Sequence, residues 1–212
     1  MLKAIKMINE AKSSGNHVSV DLHPARPDFR GFMATTPISL EADPTFDAIE
    51  AAGGKVAKSD QPHMVLDNMF LLSGEIPRTT AYEQGLRRGV RFDASKGAWE
   101  EDTLIKDERL VMCKLKGKGV VIFTGCSDAG VVNATKHALE LGDSTPLYAV
   151  MGGFHLADAE PEMIAHTIAD LKALDPMLLL AGHCTGWRAK FEIQKEMSGR
   201  LVPSFVGSTS VL

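Results

Sequence analysis

The chain has 212 residues, 44% hydrophobic and 24% charged, and its 23 Lys plus Arg against 27 Asp plus Glu leave a net charge of −4. These proportions belong to a globular protein with a real core; they exclude a disordered chain and offer no basic stripe for nucleic acid. Cys113, Cys126 and Cys184 stand far apart with no CxxC pair, so neither a disulfide framework nor a thiolate zinc knuckle can be read from them, and a reducing, cytoplasmic setting fits.

The length suits one domain, 1–212. Lys3, Lys6, Asn9, Glu10 and Lys12 interrupt any apolar run long enough for a signal peptide or membrane helix. Leu2, Ile5, Met7, Ile8 and Ala11 recur at helical spacing and predict an amphipathic helix over 2–11, with Gly15 as its stop. An alternating segment follows from His17 to Leu22. Pro24, Pro27, Gly31 and Pro37 then preclude long regular structure between His23 and Leu40. Asp43 and Pro44 read as the cap and first position of a helix that buries Phe46, Ile49 and Ala52 and stops at Gly53-Gly54. Short β signals from Met64 to Arg88 read as a small antiparallel excursion. Arg109–Lys116 and Val120–Thr124, joined by Gly117-Lys118-Gly119, predict a hairpin whose second strand is buried on both faces.

From there the chain alternates. Helices are predicted over 131–141, 161–174 and 187–197, and strands over 147–151, 177–181 and 201–206, which is an α/β pattern. Each apolar strand ends in a glycine-bearing polar tip: FTGCSDAG at 123–130, MGGFHL at 151–156, AGHCTG at 181–186 and VGSTS at 206–210. Open α/β sheets bind ligands outside the carboxyl ends of their strands, so the tips are expected to converge.

Together the tips carry Cys126, Asp128, His155, His183 and Cys184, a set rich in borderline-soft metal ligands. The competing reading makes the histidines turn residues satisfied by backbone, Asp128 a helix cap and the cysteines small buried hydrophobes. A nucleophilic thiol near a helix N-terminus is a further alternative. The tips lack the GxxxxGK[ST] pattern of a nucleotide-hydrolysing loop. In SGEIPR, 73–78, Glu75 and Arg78 flank a proline-stiffened turn. They read either as an exposed ion pair or as a site in which Arg78 meets an anionic substrate. Trp187 is expected to pack its helix against the sheet.

The succession SGEIPR (73–78), DER (107–109), GKGVVIFTGCSDAGVVN (117–133), GGFHL (152–156), HCTG (183–186) and VG (206–207) resembles a branch of the metallo-β-lactamase superfamily. The branch is that of the dihydropterin ribofuranosyl-aminobenzene phosphate synthases. The resemblance implies an αββα sandwich with one or two metal ions, zinc or else manganese or iron, and a metal-dependent hydrolase acting on a small-molecule ester, lactone, amide or phosphoester. It implies His183 as a metal ligand, Asp128 as a second, and His155 on the substrate side; from the residues themselves Cys126, Arg78 and Glu75 are expected to join His155 in binding substrate.

The family's HxHxDH motif does not occur in the chain, and Asp128 stands where the family has His. The expectation is therefore an N-terminally truncated domain, the C-terminal two-thirds of the usual one, with a remodelled site that binds metal weakly or not at all on its own. A truncated sheet would expose an edge, so a homo-oligomer, or a partner chain supplying the missing region, is expected. A non-catalytic binding protein and one subunit of a split metallo-hydrolase are the alternatives.

Overall fold

The computed structural model describes residues 1–12 and 17–212; the stop expected at Gly15 lies outside the described residues. The chain forms two compact units, one of Met1–Asp60 with Leu86–Thr103, the other of Gln61–Gly85 with Leu104–Leu212.

In the first unit α1 (Leu2–Ala11) buries Ile5 against Ile49 and Ala52 of the α2 (Phe46–Ala51) region. β1 (Val18–Leu22) pairs in parallel with β4 (Gly54–Lys58), a strand hidden in the sequence because Gly53-Gly54 reads only as a helix stop. The cap of α2 is Thr45 rather than Asp43. Its extended backbone lets its hydroxyl accept from Ala48 N at 3.1 Å, which places Pro44 before the cap. The proline-rich 23–40 stretch carries two short strands, β2 (Arg30–Met33) and β3 (Pro37–Ser39), with Pro37 at a first strand position where its missing N–H is tolerated. They join the hairpin of β7 (Gly89–Asp93) and β8 (Ala98–Glu101) in a sheet ordered β3-β2-β7-β8. The hairpin turn is held by Asp93 Oδ1, which accepts from Ser95 N, and its face by Phe92 against Phe29 and Trp99.

The second unit holds a six-stranded sheet. β5 (His63–Val65) and β6 (Phe70–Leu72) form the expected antiparallel excursion, and β9 (Val111–Leu115) pairs antiparallel with β10 (Gly119–Phe123). β10, β11 (Leu147–Gly152) and β12 (Leu178–Ala181) run parallel, in the order β12-β11-β10-β9-β6-β5. Alternation along the central strands fills both faces. Val120 and Ile122 join a core with α3 (Val131–Leu141), α4 (Pro161–Leu174) and α5 (Trp187–Glu196), while Val121, Ala149 and Leu180 form a second cluster. Full burial of such side chains contributes about 1.5–3 kcal/mol each.

Two expectations fail here. Residues 201–206 form no strand, holding to β12 by an isolated bridge of Leu201 with Leu179 and a bond from Ser204 N to Ala181 O, and the 206–210 tip is exposed rather than a strand end. Trp187 is 78% exposed. α5 turns its Ala189, Ile193 and Met197 stripe inward, and a residue two positions before Ala189 falls on the opposite face. Among the described residues no helix is long and apolar enough to cross a membrane.

Candidate metal centre

Because β10, β11 and β12 are parallel neighbours, their carboxyl ends share one edge of the sheet, and three of the four polar tips meet there. Backbone hydrogen bonds stitch the tips together. Gly153 N donates to Gly125 O at 2.8 Å, Gly182 N to Gly152 O at 2.7 Å, and Leu156 N to Cys184 O at 3.0 Å. Ser127 Oγ adds a bond to Gly153 O at 2.7 Å.

On this frame Cys126, from the loop after β10, comes 3.1 Å through its Sγ from His183 Nε2, in the 3₁₀ turn His183–Thr185 after β12. Cys184 Sγ donates to Cys126 O at 3.2 Å. The two sulfurs and one imidazole nitrogen of Cys126, His183 and Cys184 all lie within 4.8 Å of one another. Position 153 must be glycine for this to happen. A Cβ there would sit 2.5 Å from Cys184 Sγ and 2.6 Å from His183 Cε1.

The thiols are unequal. A hydrogen bond from the Cys126 thiol holds Cys184 down to about 7, whereas that same bond, with burial, pushes Cys126 up. Asp128 stands outside the trio. Its Oδ1 lies 3.4 Å from His155 Nδ1, a buried nitrogen with no hydrogen-bond partner. His155 itself is held at φ 51°, a left-handed conformation that non-glycine residues adopt mainly where surrounding structure imposes it.

Arg78 and Glu75 do not pair with each other. Arg78 donates to the carbonyls of Ile76 and Leu104, leaving its buried Nε without a partner. Burial lowers its pKa, against the pull of the surrounding Glu108, Glu75, Glu83 and Asp128 carboxylates. Glu75 is exposed and lies 3.8 Å from Lys106.

Two residues absent from the sequence-level candidates hold the TGCSDAG loop in place. Glu108, within the DER motif, accepts from Asp128 N at 3.0 Å and Ala129 N at 2.6 Å. Glu83 accepts from Val132 N at 2.9 Å and Asn133 N at 2.8 Å, so it caps α3 in place of the side chain that Gly130 lacks. Burial raises both carboxyls, Glu83 to about 7. Asn133 Oδ1 receives Thr79 N at 3.0 Å and Thr80 N at 2.9 Å, tying the segment after SGEIPR to α3. The DER motif was a signal for Glu108. Glu83, 49 residues from the N–H it caps, had none.

The donor set fits a borderline-soft ion such as zinc: two thiols and an imidazole, cleared by a glycine, at the rim of a parallel sheet. No family model matches the chain. It is 32% identical over 150 residues to the 7,8-dihydropterin-6-methyl-4-(beta-D-ribofuranosyl)-aminobenzene-5'-phosphate synthase of Methanocaldococcus jannaschii, a match covering 70% of this chain. The chain spans about half the length of that curated relative, 50%. A crystal structure of a metal-dependent hydrolase of the beta-lactamase superfamily superposes with a TM-score of 0.74 at 20% identity, over 91% of this chain and 71% of the other. The ordered motifs, the relative and the shared α/β fold place this chain in the metallo-β-lactamase superfamily, in the branch of the dihydropterin ribofuranosyl-aminobenzene phosphate synthase.

Proposed function

We propose that this chain carries a metal-dependent hydrolytic site for a small-molecule ester, lactone, amide or phosphoester. The observation that supports it is the meeting of Cys126, Asp128, His155, His183 and Cys184 at one edge of the parallel strands. The relative from M. jannaschii is a synthase whose name specifies a 5'-phosphate, which puts phosphoesters first among the substrates to assay.

His183 is the residue that would hold the ion. When bound, a zinc-type ion supplies a Lewis acid for the scissile group and acidifies water towards neutrality. The chain's own residues do the rest. Asp128 Oδ1, 3.4 Å from Nδ1 of His155, orients the ring, and His155 would serve the reacting group as the proton-transfer side chain. Glu108 fixes the loop that bears Cys126 and Asp128, and Glu83 fixes the first turn of α3 that follows it.

The experiment is turnover of a chromogenic phosphodiester and a carboxylic ester by the full chain, before and after chelation and after zinc is restored. Turnover that disappears with chelator and returns with zinc is expected, and Asp128→Asn should lower it about tenfold or more. Stoichiometric zinc with no turnover of either ester defeats the hydrolase reading and leaves a non-catalytic binding protein.

A further inference from the structure

We propose that Cys126, His183 and Cys184 form a thiolate-rich metal site in which both sulfurs bind the ion, leaving the fourth position of a tetrahedron open. The inference rests on the reading that this site holds a metal, and it chooses among the strand-end donors: two sulfurs with His183, in place of the imidazole and carboxylate pair that the family resemblance implies.

The geometry carries the argument. At ordinary zinc distances, tetrahedral ligands of two sulfurs and one nitrogen stand about 3.5–3.8 Å apart. The three donor atoms here lie within 4.8 Å of one another, with Cys126 Sγ already 3.1 Å from His183 Nε2, so side-chain rotation suffices to close on an ion. They come from the ends of two different strands whose loops are both bonded to the loop after β11, by Gly153 N to Gly125 O and Leu156 N to Cys184 O, so the frame stays when Cys184 gives up the proton it donates to Cys126 O, and Gly153 vacates the space that His183 and Cys184 occupy. Asp128, the carboxylate that would favour a hard ion, stands outside the trio, 3.4 Å from His155. Soft thiolates select zinc and cobalt over manganese and magnesium, so this centre discriminates against manganese. The step balances: one divalent ion replaces two thiol protons, which pass to solvent, and His183 binds as the neutral imidazole.

The test is cobalt(II) titration of the reduced, metal-free full chain. The expected result is a near-ultraviolet sulfur-to-cobalt charge-transfer band that saturates at about one equivalent, is erased by zinc and is untouched by manganese. Cys126→Ser and Cys184→Ser should each cut the band at saturation by about half and weaken zinc by about tenfold or more, while Cys113→Ser leaves both unchanged. Zinc should also shield two of the three thiols from a thiol reagent. Neither residue of the pair lies in the core clusters, so melting curves of the two variants report whether they fold.

Cobalt bound at one equivalent with no charge-transfer band, insensitive to both serine variants but lost in His183→Ala, overturns the inference and spares the metal-dependent reading. A chain that takes up no cobalt overturns it too. A thiolate-bound ion without chelator-sensitive turnover does the reverse: the site stands and the hydrolase reading falls.

Discussion

Gly153 illustrates how one missing methyl sets a site. A side chain there collides with the far ends of His183 and Cys184 rather than with backbone, at 2.5 to 2.8 Å, so those two side chains must swing away while the strand ends stay bonded. Gly153→Ala should therefore lower zinc affinity about tenfold or more while shifting the thermal midpoint by no more than a surface substitution does. Equilibrium dialysis beside a melting curve checks this. A large drop in midpoint with unchanged zinc affinity would show that the glycine serves packing alone.

At the scale of the element, α3 begins without a side-chain cap of its own, and its first turn is completed by an acid from a distant segment. Truncating Glu83 to Ala leaves Val132 N and Asn133 N, both buried, without an acceptor, a loss of about 1–3 kcal/mol measurable by urea unfolding. The same carboxyl makes stability depend on pH. Its folded pKa, raised by burial to about 7, lies above the ordinary 4.5, so between these values the folded chain holds more proton than the unfolded one. Glu83 then contributes most below 4.5, and its contribution is lost as pH rises through about 7, at up to roughly 1.4 kcal/mol per pH unit. Comparing the native chain with Glu83→Gln across that range cancels the other titrating groups. The advantage of the native chain should shrink as pH rises, and a flat difference would refute the raised pKa.

For the whole molecule, an ion that binds only the folded state stabilises it by mass action, by about 2.7 kcal/mol at a hundredfold excess over Kd. In a chain of this length that corresponds to a rise in midpoint of roughly 5–10 °C. Hydrogen exchange should slow on zinc addition in the three stitched tips, 124–130, 152–156 and 182–186. An unchanged midpoint with saturating zinc would remove the metal-dependent reading at this scale as well.

The sequence by itself determined the alternation of the second half. α3 and α4 fall on the residues that helical periodicity marks, and Val120, Val121 and Ile122 are buried on both faces as an unbroken apolar run requires. It also placed the donors correctly at strand ends, because glycine and polar residues after an apolar run are a local signal. Only the tertiary structure decided which donors meet. Cys126 and His183 are 57 residues apart, and what brings them together is the order β12-β11-β10, a long-range choice no local pattern encodes. For the same reason β4 and the β7–β8 hairpin went unread: short, half-exposed strands bury too little to print a clear alternation, and their pairing partners, not their own residues, make them strands. Glu83 and Glu108 look like any surface acid in the sequence. Their work comes from burial against a helix start, which exists only once the chain has folded.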